Sequence, residues 1–225
     1  MKLRKWLIVA LLGGTIPLAS AENETLNAAS VKQIDDYTLQ GERSFFNGYE
    51  PGDAEGNANV VVEIPKGSTG KWEVSGESGN IIWEFKKGKP RIVDYRGGYP
   101  ANYGSIPKTS MPATFGGDGE SLDVIVLGDA IPRGEVVTVR LVGVLNLQEG
   151  DEFDAKILAV RKGSPEDSAA DLAALNTQFN GIVDTVKEWF TNYKGADSGV
   201  EIKSIGDAAN AMEILMVSAE AFAAR

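Results

Sequence analysis

Residues 116–127, Gly116-Gly117-Asp118-Gly119-Glu120-Ser121-Leu122-Asp123-Val124-Ile125-Val126-Leu127, run from a glycine-rich acidic turn straight into an apolar strand. Glycine lets the backbone turn tightly, and the Val/Ile run after it has the composition of a short β-strand. The same texture recurs on both sides, at 60–64, 71–74, 81–85 and 91–95 upstream and at 135–145 and 154–160 downstream, punctuated by Gly and Pro. Seven short strands at this spacing predict a barrel or sandwich. The pattern then turns helical. Leu172, Leu175, Phe179, Ile182, Val183, Val186, Trp189 and Phe190 recur at three and four residues and draw one apolar stripe. A second helix is predicted over about 207–223, with Ala211, Met212, Leu215 and Phe222 inward and 195–199 as the loop between the two helices. The expected fold class is α+β, mainly β, a β core covered by two C-terminal helices.

The chain has 225 residues, 43% of them hydrophobic, which is enough for one or two domains with a real core. It contains no Cys and no His. That removes disulfides, thiolate zinc sites and every mechanism that needs a Cys nucleophile or a His base. The remaining chemistry must use carboxylates, Lys, Arg, Tyr or Ser, with a hard metal as the natural complement. Lys and Arg number 22 against 32 Asp and Glu, a formal charge of −10, which argues against a sequence-independent grip on nucleic-acid phosphates.

Residues 1–21 have a basic start (Lys2, Arg4, Lys5), an apolar run from Trp6 to Leu12 and the small-x-small end Ala19-Ser20-Ala21. This reads as a signal peptide cut before Glu22. Gly13, Gly14, Thr15 and Pro17 interrupt the run well short of the roughly 20 apolar residues of a membrane span, so no stable span is expected after cleavage. Removal takes away three basic and no acidic residues, which leaves 19 against 32 and a charge of −13. The expected location is the periplasm or the exterior. Residues 22–59 read as an extended, turn-rich arm that docks through Phe45, Phe46 and Tyr49, and 60–225 as a single domain.

Two acidic groups stand out. Asp118, Glu120 and Asp123 sit on the glycine turn, and hard divalent cations need several converging oxygens of that kind. Taken alone the turn is equally an acidic solvated loop. The second group is Glu149, Asp151, Glu152 and Asp154, which alone reads as a charged hairpin. Lys71 and Glu73, and likewise Asp154 and Lys156, are two apart on predicted strands and so share a face.

The order of motifs is more specific than any one of them. Val61-Val62-Glu63-Ile64-Pro65, Lys71-Trp72-Glu73, Lys89-Pro90-Arg91, Tyr99-Pro100-Ala101-Asn102-Tyr103-Gly104, Asp118-Gly119-Glu120-Ser121-Leu122-Asp123-Val124, Gly143-Val144-Leu145, Asp154-Ala155-Lys156 and Trp189-Phe190-Thr191-Asn192-Tyr193-Lys194 follow one another. This series resembles the soluble family I inorganic pyrophosphatases over about 59–194. The resemblance implies a small OB-like β-barrel with helices packed against it. It also implies hydrolysis of inorganic pyrophosphate to two orthophosphates by a metal-activated water, with several Mg2+ ions per site, Mn2+ as a substitute, and a homo-oligomer.

By position, Asp118, Asp123 and Asp154 match the family's tightest metal ligands. Glu120 matches the proton acceptor for the attacking water, Glu149 a further metal-binding position, and Glu63 and Glu73 outer acidic positions. Lys71, Arg91, Lys156, Tyr193 and Lys194 match groups that grip the two phosphates, with Tyr99 and Tyr103 lining the site. Two departures are visible: Glu120 stands where the family has an aspartate, with Ser121 in place of a proline, and Glu149 also replaces an aspartate unless Asp151 takes its place. One extra methylene moves a carboxylate by roughly 1.5 Å, a displacement that can cost about a hundredfold in rate. An exported protein that binds metal and phosphate with weak or lost turnover is therefore the alternative. A calcium β-roll is a poorer fit, because the Gly-Gly-x-Gly-x-Asp-x-Leu pattern occurs once and Ser121 occupies its Asp.

Overall fold

The computed structural model describes residues 31–112, 117, 119–195 and 198–225. Residues 1–21, read as a signal peptide, and Asp118, read as a catalytic and metal-binding residue, lie outside the described residues. Among the described residues, no helix is long and apolar enough to cross a membrane.

The strands in chain order are β1 (Lys32–Asp35), β2 (Thr38–Gln40), β3 (Ala58–Ile64), β4 (Trp72–Val74), β5 (Ile81–Trp83), β6 (Phe85–Lys86), β7 (Lys89–Pro90), β8 (Asn102–Ser105), β9 (Asp123–Leu127), β10 (Val136–Glu149), β11 (Glu152–Arg161) and β12 (Val200–Gly206). The main sheet has the order β11-β9-β8-β3-β10-β12, and β11 also pairs with β10. The first five strands therefore form a closed ring, with β12 added to the edge of the long β10. Only β9 and β11 run parallel in this sheet. Alternate residues serve two cores. Val60, Val62, Val124, Val126, Ile157 and Ala159 fall in one buried cluster, and Val61, Ile125, Leu127, Leu158 and Val160 in the other. Burial on both faces is why these strands read as continuous apolar runs rather than alternating ones. A second, four-stranded sheet has the order β1-β2-β5-β4, and Phe45 beside it is almost fully buried.

Among the described residues three α-helices cover the β core, where the spacing predicted two: α1 (Leu172–Gln178), α2 (Ile182–Asn192) and α3 (Ala208–Ala223). The apolar stripe crosses from α1 to α2, but Asn180 and Gly181 both take positive φ, 51° and 74°, and end the first helix between them. Val183, Val186, Trp189 and Phe190 face one core cluster, while Ala211, Ile214 and Leu215 of α3 face the other. Asp207 caps α3 in a reciprocal capping box with Asn210.

Three further differences have local causes. Residues 91–95 do not form a strand; an isolated bridge joins Ile92 to Gly70, flanked by the bonds from the Lys71 amide to the Arg91 carbonyl at 3.0 Å and from the Val93 amide to the Thr69 carbonyl at 2.7 Å, and the Arg91 amide donates to the Glu84 carbonyl at 2.8 Å. Between the loop predicted at 195–199 and the last helix lies β12, an edge strand the spacing did not predict, whose Glu201 and Lys203 alternate with half-buried Val200 and Ile202. The third is β8, which links β3 to β9. There Gly104 is required by close approach, because a Cβ would lie 1.9 Å from the Val61 carbonyl oxygen.

Candidate active site

The site is built on one face of neighbouring strands. Tyr103 and Ser105 alternate along β8, Asp123 lies opposite Ser105 at the start of β9, and Asp154 and Lys156 alternate along β11. These positions share parity with the core residues Ile125, Leu127, Leu158 and Val160, so their side chains emerge where that core meets a cleft. The cleft, about 890 Å³, is lined by the carboxylates Glu120, Asp123, Glu149, Asp151, Glu152 and Asp154. Lys156, Tyr193 and Lys194 line it as well.

Lys156 is its centre. Only 6% exposed, its Nζ donates to Asp123 Oδ2 at 2.8 Å, to Asp154 Oδ1 at 2.9 Å and to the Tyr103 hydroxyl at 2.9 Å. Burial alone would lower the lysine's pKa, but Asp123 and Asp154 outweigh it and raise the pKa above the ordinary value. Burial likewise works against the Asp123 charge, yet the ammoniums of Lys156 and Lys71 hold that carboxyl below its usual range. Burial and the nearby Asp123 and Asp154 carboxylates push the Tyr103 hydroxyl well above its ordinary pKa. Tyr99 rises to about 12, mainly through burial. Both phenols stay protonated at neutral pH.

Beside this cleft, and sharing Glu120, Ser121 and Asp123 with it, lies a second of about 410 Å³ that holds Glu63, Lys71 and Glu73. Lys71 Nζ sits 3.3 Å from Glu73 and 5.5 Å from the centre of the Tyr103 ring. Glu63 is buried, accepting at Oε1 from the Ser105 hydroxyl at 2.7 Å and the Val74 amide at 2.9 Å. Its burial pushes the pKa up to about 7. On the other side a third cleft, about 1060 Å³, shares Glu149, Tyr193 and Lys194 and adds Arg91. Arg91 Nη1 donates to both carboxylate oxygens of Glu84, at 3.0 and 2.8 Å. Lys194 is paired with Glu149, and Tyr193 stacks on Trp189 at 4.5 Å as the last residue of the helical turn.

The structure thus brings Asp123, Asp154, Lys156 and Tyr103 into direct contact and sets Glu63, Lys71 and Glu73 in the adjoining cleft. Arg91 lines the third cleft, while its carbonyl accepts from the Lys71 amide at 3.0 Å. Glu149 and Asp151 both reach the central wall, on either side of the Gly150 turn that joins β10 to β11. Two partners escaped the sequence reading. Glu84 faces Arg91 because the β6–β7 hairpin pairs Phe85 with Pro90, so the residues that flank it meet; the Lys87-Gly88 turn was the available signal. Ser105 was legible only as the second residue after Tyr103.

The donor set suits a hard divalent cation, because it offers carboxylate oxygens with neither thiolate nor imidazole. Among the described residues no group of three carboxylates converges on one point as a metal cluster would. Lys156 instead holds Asp123 and Asp154 together, and Lys194 holds Glu149.

Residues 60–223 match the family model described as inorganic pyrophosphatase. The mitochondrial inorganic pyrophosphatase of Saccharomyces cerevisiae is 35% identical over 159 residues, 62% of this chain and 51% of that protein. An inorganic pyrophosphatase of Helicobacter pylori is 31% identical over 166 residues, 72% of this chain and 90% of that one. The chain spans about half the length of the yeast relative and most of the bacterial one. The type I inorganic pyrophosphatase structure from Toxoplasma gondii superposes with a TM-score of 0.76 at 27% identity, covering 86% of this chain and 97% of the other. The matched span takes in the barrel, both faces of the cleft and all three helices, and the chain belongs to the family I inorganic pyrophosphatases.

Proposed function

We propose that the chain hydrolyses inorganic pyrophosphate to two orthophosphates in a metal-dependent reaction, with Mg2+ as its working ion. The observation that carries this reading is the family match over residues 60–223, which contains every residue given a role in the reaction below. The chemistry a bound divalent cation supplies is charge screening of the diphosphate and a lowered pKa for the attacking water. Asp123, Asp154 and Glu149, with Asp118, would hold such ions, and Glu63 and Glu73 would support them from the adjoining cleft.

The protein's own groups account for the rest. Pyrophosphate is a polyanion, and Lys71, Lys156 and Lys194 meet it as point charges while Arg91 can engage two oxygens at once. Each of these cations is paired with a carboxylate, so binding exchanges existing partners for phosphate rather than ordering free side chains. Tyr103, kept protonated by its burial, orients Lys156. In the reaction the water oxygen bonds to one phosphorus, the bridging oxygen leaves on the other phosphate, and the water's proton passes to Glu120.

Replacing Asp123 with Asn tests the assignment. Loss of turnover in a folded variant is expected, and near-normal turnover would contradict it. We further propose that residues 1–21 direct export. The protein recovered outside the cytoplasm should begin at Glu22, and a cytoplasmic product beginning at Met1 would overturn that.

A further inference from the structure

Arg225 lies one residue beyond the Ala224 cap of α3, yet its guanidinium reaches the glycine-rich acidic turn. Nη2 donates to the Gly119 carbonyl and to the Ser110 hydroxyl, which itself donates to the Gly119 carbonyl at 3.2 Å. The guanidinium lies 5.6 Å from the centre of the Phe222 ring, and that ring meets Phe46 edge-on at 5.4 Å, so the end of α3 is anchored. One turn earlier the Ser218 carbonyl accepts from the Ser110 amide at 2.9 Å. The helix therefore holds the Ser110 side of the turn by its backbone and the Gly119 side by Arg225. Between those points backbone bonds run from the Met111 amide to the Glu120 carbonyl at 2.9 Å, from the Gly119 amide to the Met111 carbonyl at 3.2 Å and from the Gly117 amide to the Pro112 carbonyl at 3.1 Å. Arg225 also lines the cleft that contains Glu63, Lys71, Glu120 and Asp123.

We infer that Arg225 is a positioning residue for the reaction: it clamps the Gly119 carbonyl and thereby fixes the backbone that carries Glu120. A clamp of this kind answers a specific need. Glu120 is one methylene longer than the family's aspartate, so the placement of its carboxylate depends more heavily on where its own backbone is held. A charge-assisted bond to a carbonyl beside the proton acceptor acts on geometry in the transition state, not on phosphate affinity. This inference rests on reading the cleft as the diphosphate-hydrolysing site.

The test compares Arg225→Ala and Arg225→Lys in the full chain by steady-state kinetics with pyrophosphate and Mg2+, amide hydrogen exchange and thermal unfolding. The expected result for Arg225→Ala is a fall in kcat of about tenfold with KM within about twofold. Faster exchange at the Met111 and Gly119 amides and an unchanged unfolding midpoint should accompany it. Arg225→Lys, which keeps a charged donor, should recover most of both. Wild-type kcat and exchange in Arg225→Ala would overturn the inference, as would a Lys variant as impaired as the Ala one. If the wild-type chain shows no turnover, the functional reading fails and the positioning role with it, whereas the exchange rates alone decide whether the clamp exists.

Discussion

Glu63 makes the folded protein sensitive to pH in a direction opposite to most carboxylates. It is 3% exposed, and burial pushes its pKa from 4.5 up to about 7, against the pull of the Lys71 ammonium and the Ser105 hydroxyl. Between those two values the folded chain binds a proton that the unfolded chain has released. The stabilising contribution is therefore complete below about pH 4.5 and is lost as pH rises through 7. A shift of that size corresponds to about 3 kcal/mol in all, of which about 2.5 kcal/mol falls between pH 5 and pH 8. Glu63→Gln keeps the shape and the acceptor oxygen but cannot ionise. Urea unfolding of both proteins in chelator, at steps across that range, gives the difference directly. The wild type should lose about 2.5 kcal/mol relative to the variant from the acid to the alkaline end. Adding Lys71→Met to the wild type should move the midpoint of the loss to higher pH, because the nearest favourable charge is gone. Parallel curves for wild type and Glu63→Gln would refute the claim that this carboxyl is desolvated.

Other expectations follow from particular contacts. Lys156→Met should reduce turnover by at least about a hundredfold. It should destabilise the metal-free protein by only about 1–2 kcal/mol, less than for a fully buried pair, since Asp123 and Asp154 are 34% and 48% exposed and water can replace the ammonium; urea melts and initial rates check the two parts. Gly104→Ala should leave little folded protein, because the added carbon falls inside van der Waals contact of the Val61 carbonyl and the β3–β8 ladder must part; soluble yield and circular dichroism report it. Arg140 donates to the Asp167 carboxylate at 2.8 Å and to the carbonyls of Asp167 and Ala169 at 2.9 and 2.8 Å. Arg140→Ala should cost about 2–3 kcal/mol and lower Tm by about 4–12 °C with KM unchanged, as seen by calorimetry and kinetics.

The pair Asp154 and Lys156 shows how far the sequence reaches. Their spacing of two on an apolar run placed them on one face, and they meet at 2.9 Å. What spacing along one strand cannot supply is the register between strands. The contacts of Lys156 with Tyr103 and Asp123 depend on β9 lying between β8 and β11, with Ser105 opposite Asp123 and Val124 opposite Ile157. The break between α1 and α2 was written in Asn180-Gly181, but an apolar stripe that continues through both helices conceals it. β12 escaped notice because an exposed edge strand needs few apolar residues. Arg225 had no local signal at all: its partners stand 106 and 115 residues away, and only the packing of α3 on β10 carries it there.

The most direct test of the central claim is phosphate release from pyrophosphate by the chain beginning at Glu22, with Mg2+ and with chelator, beside triphosphate and a phosphate monoester. Two orthophosphates per pyrophosphate, released only with the divalent ion and lost in Asp123→Asn, is the predicted result. No metal-dependent release even at high protein concentration would contradict it.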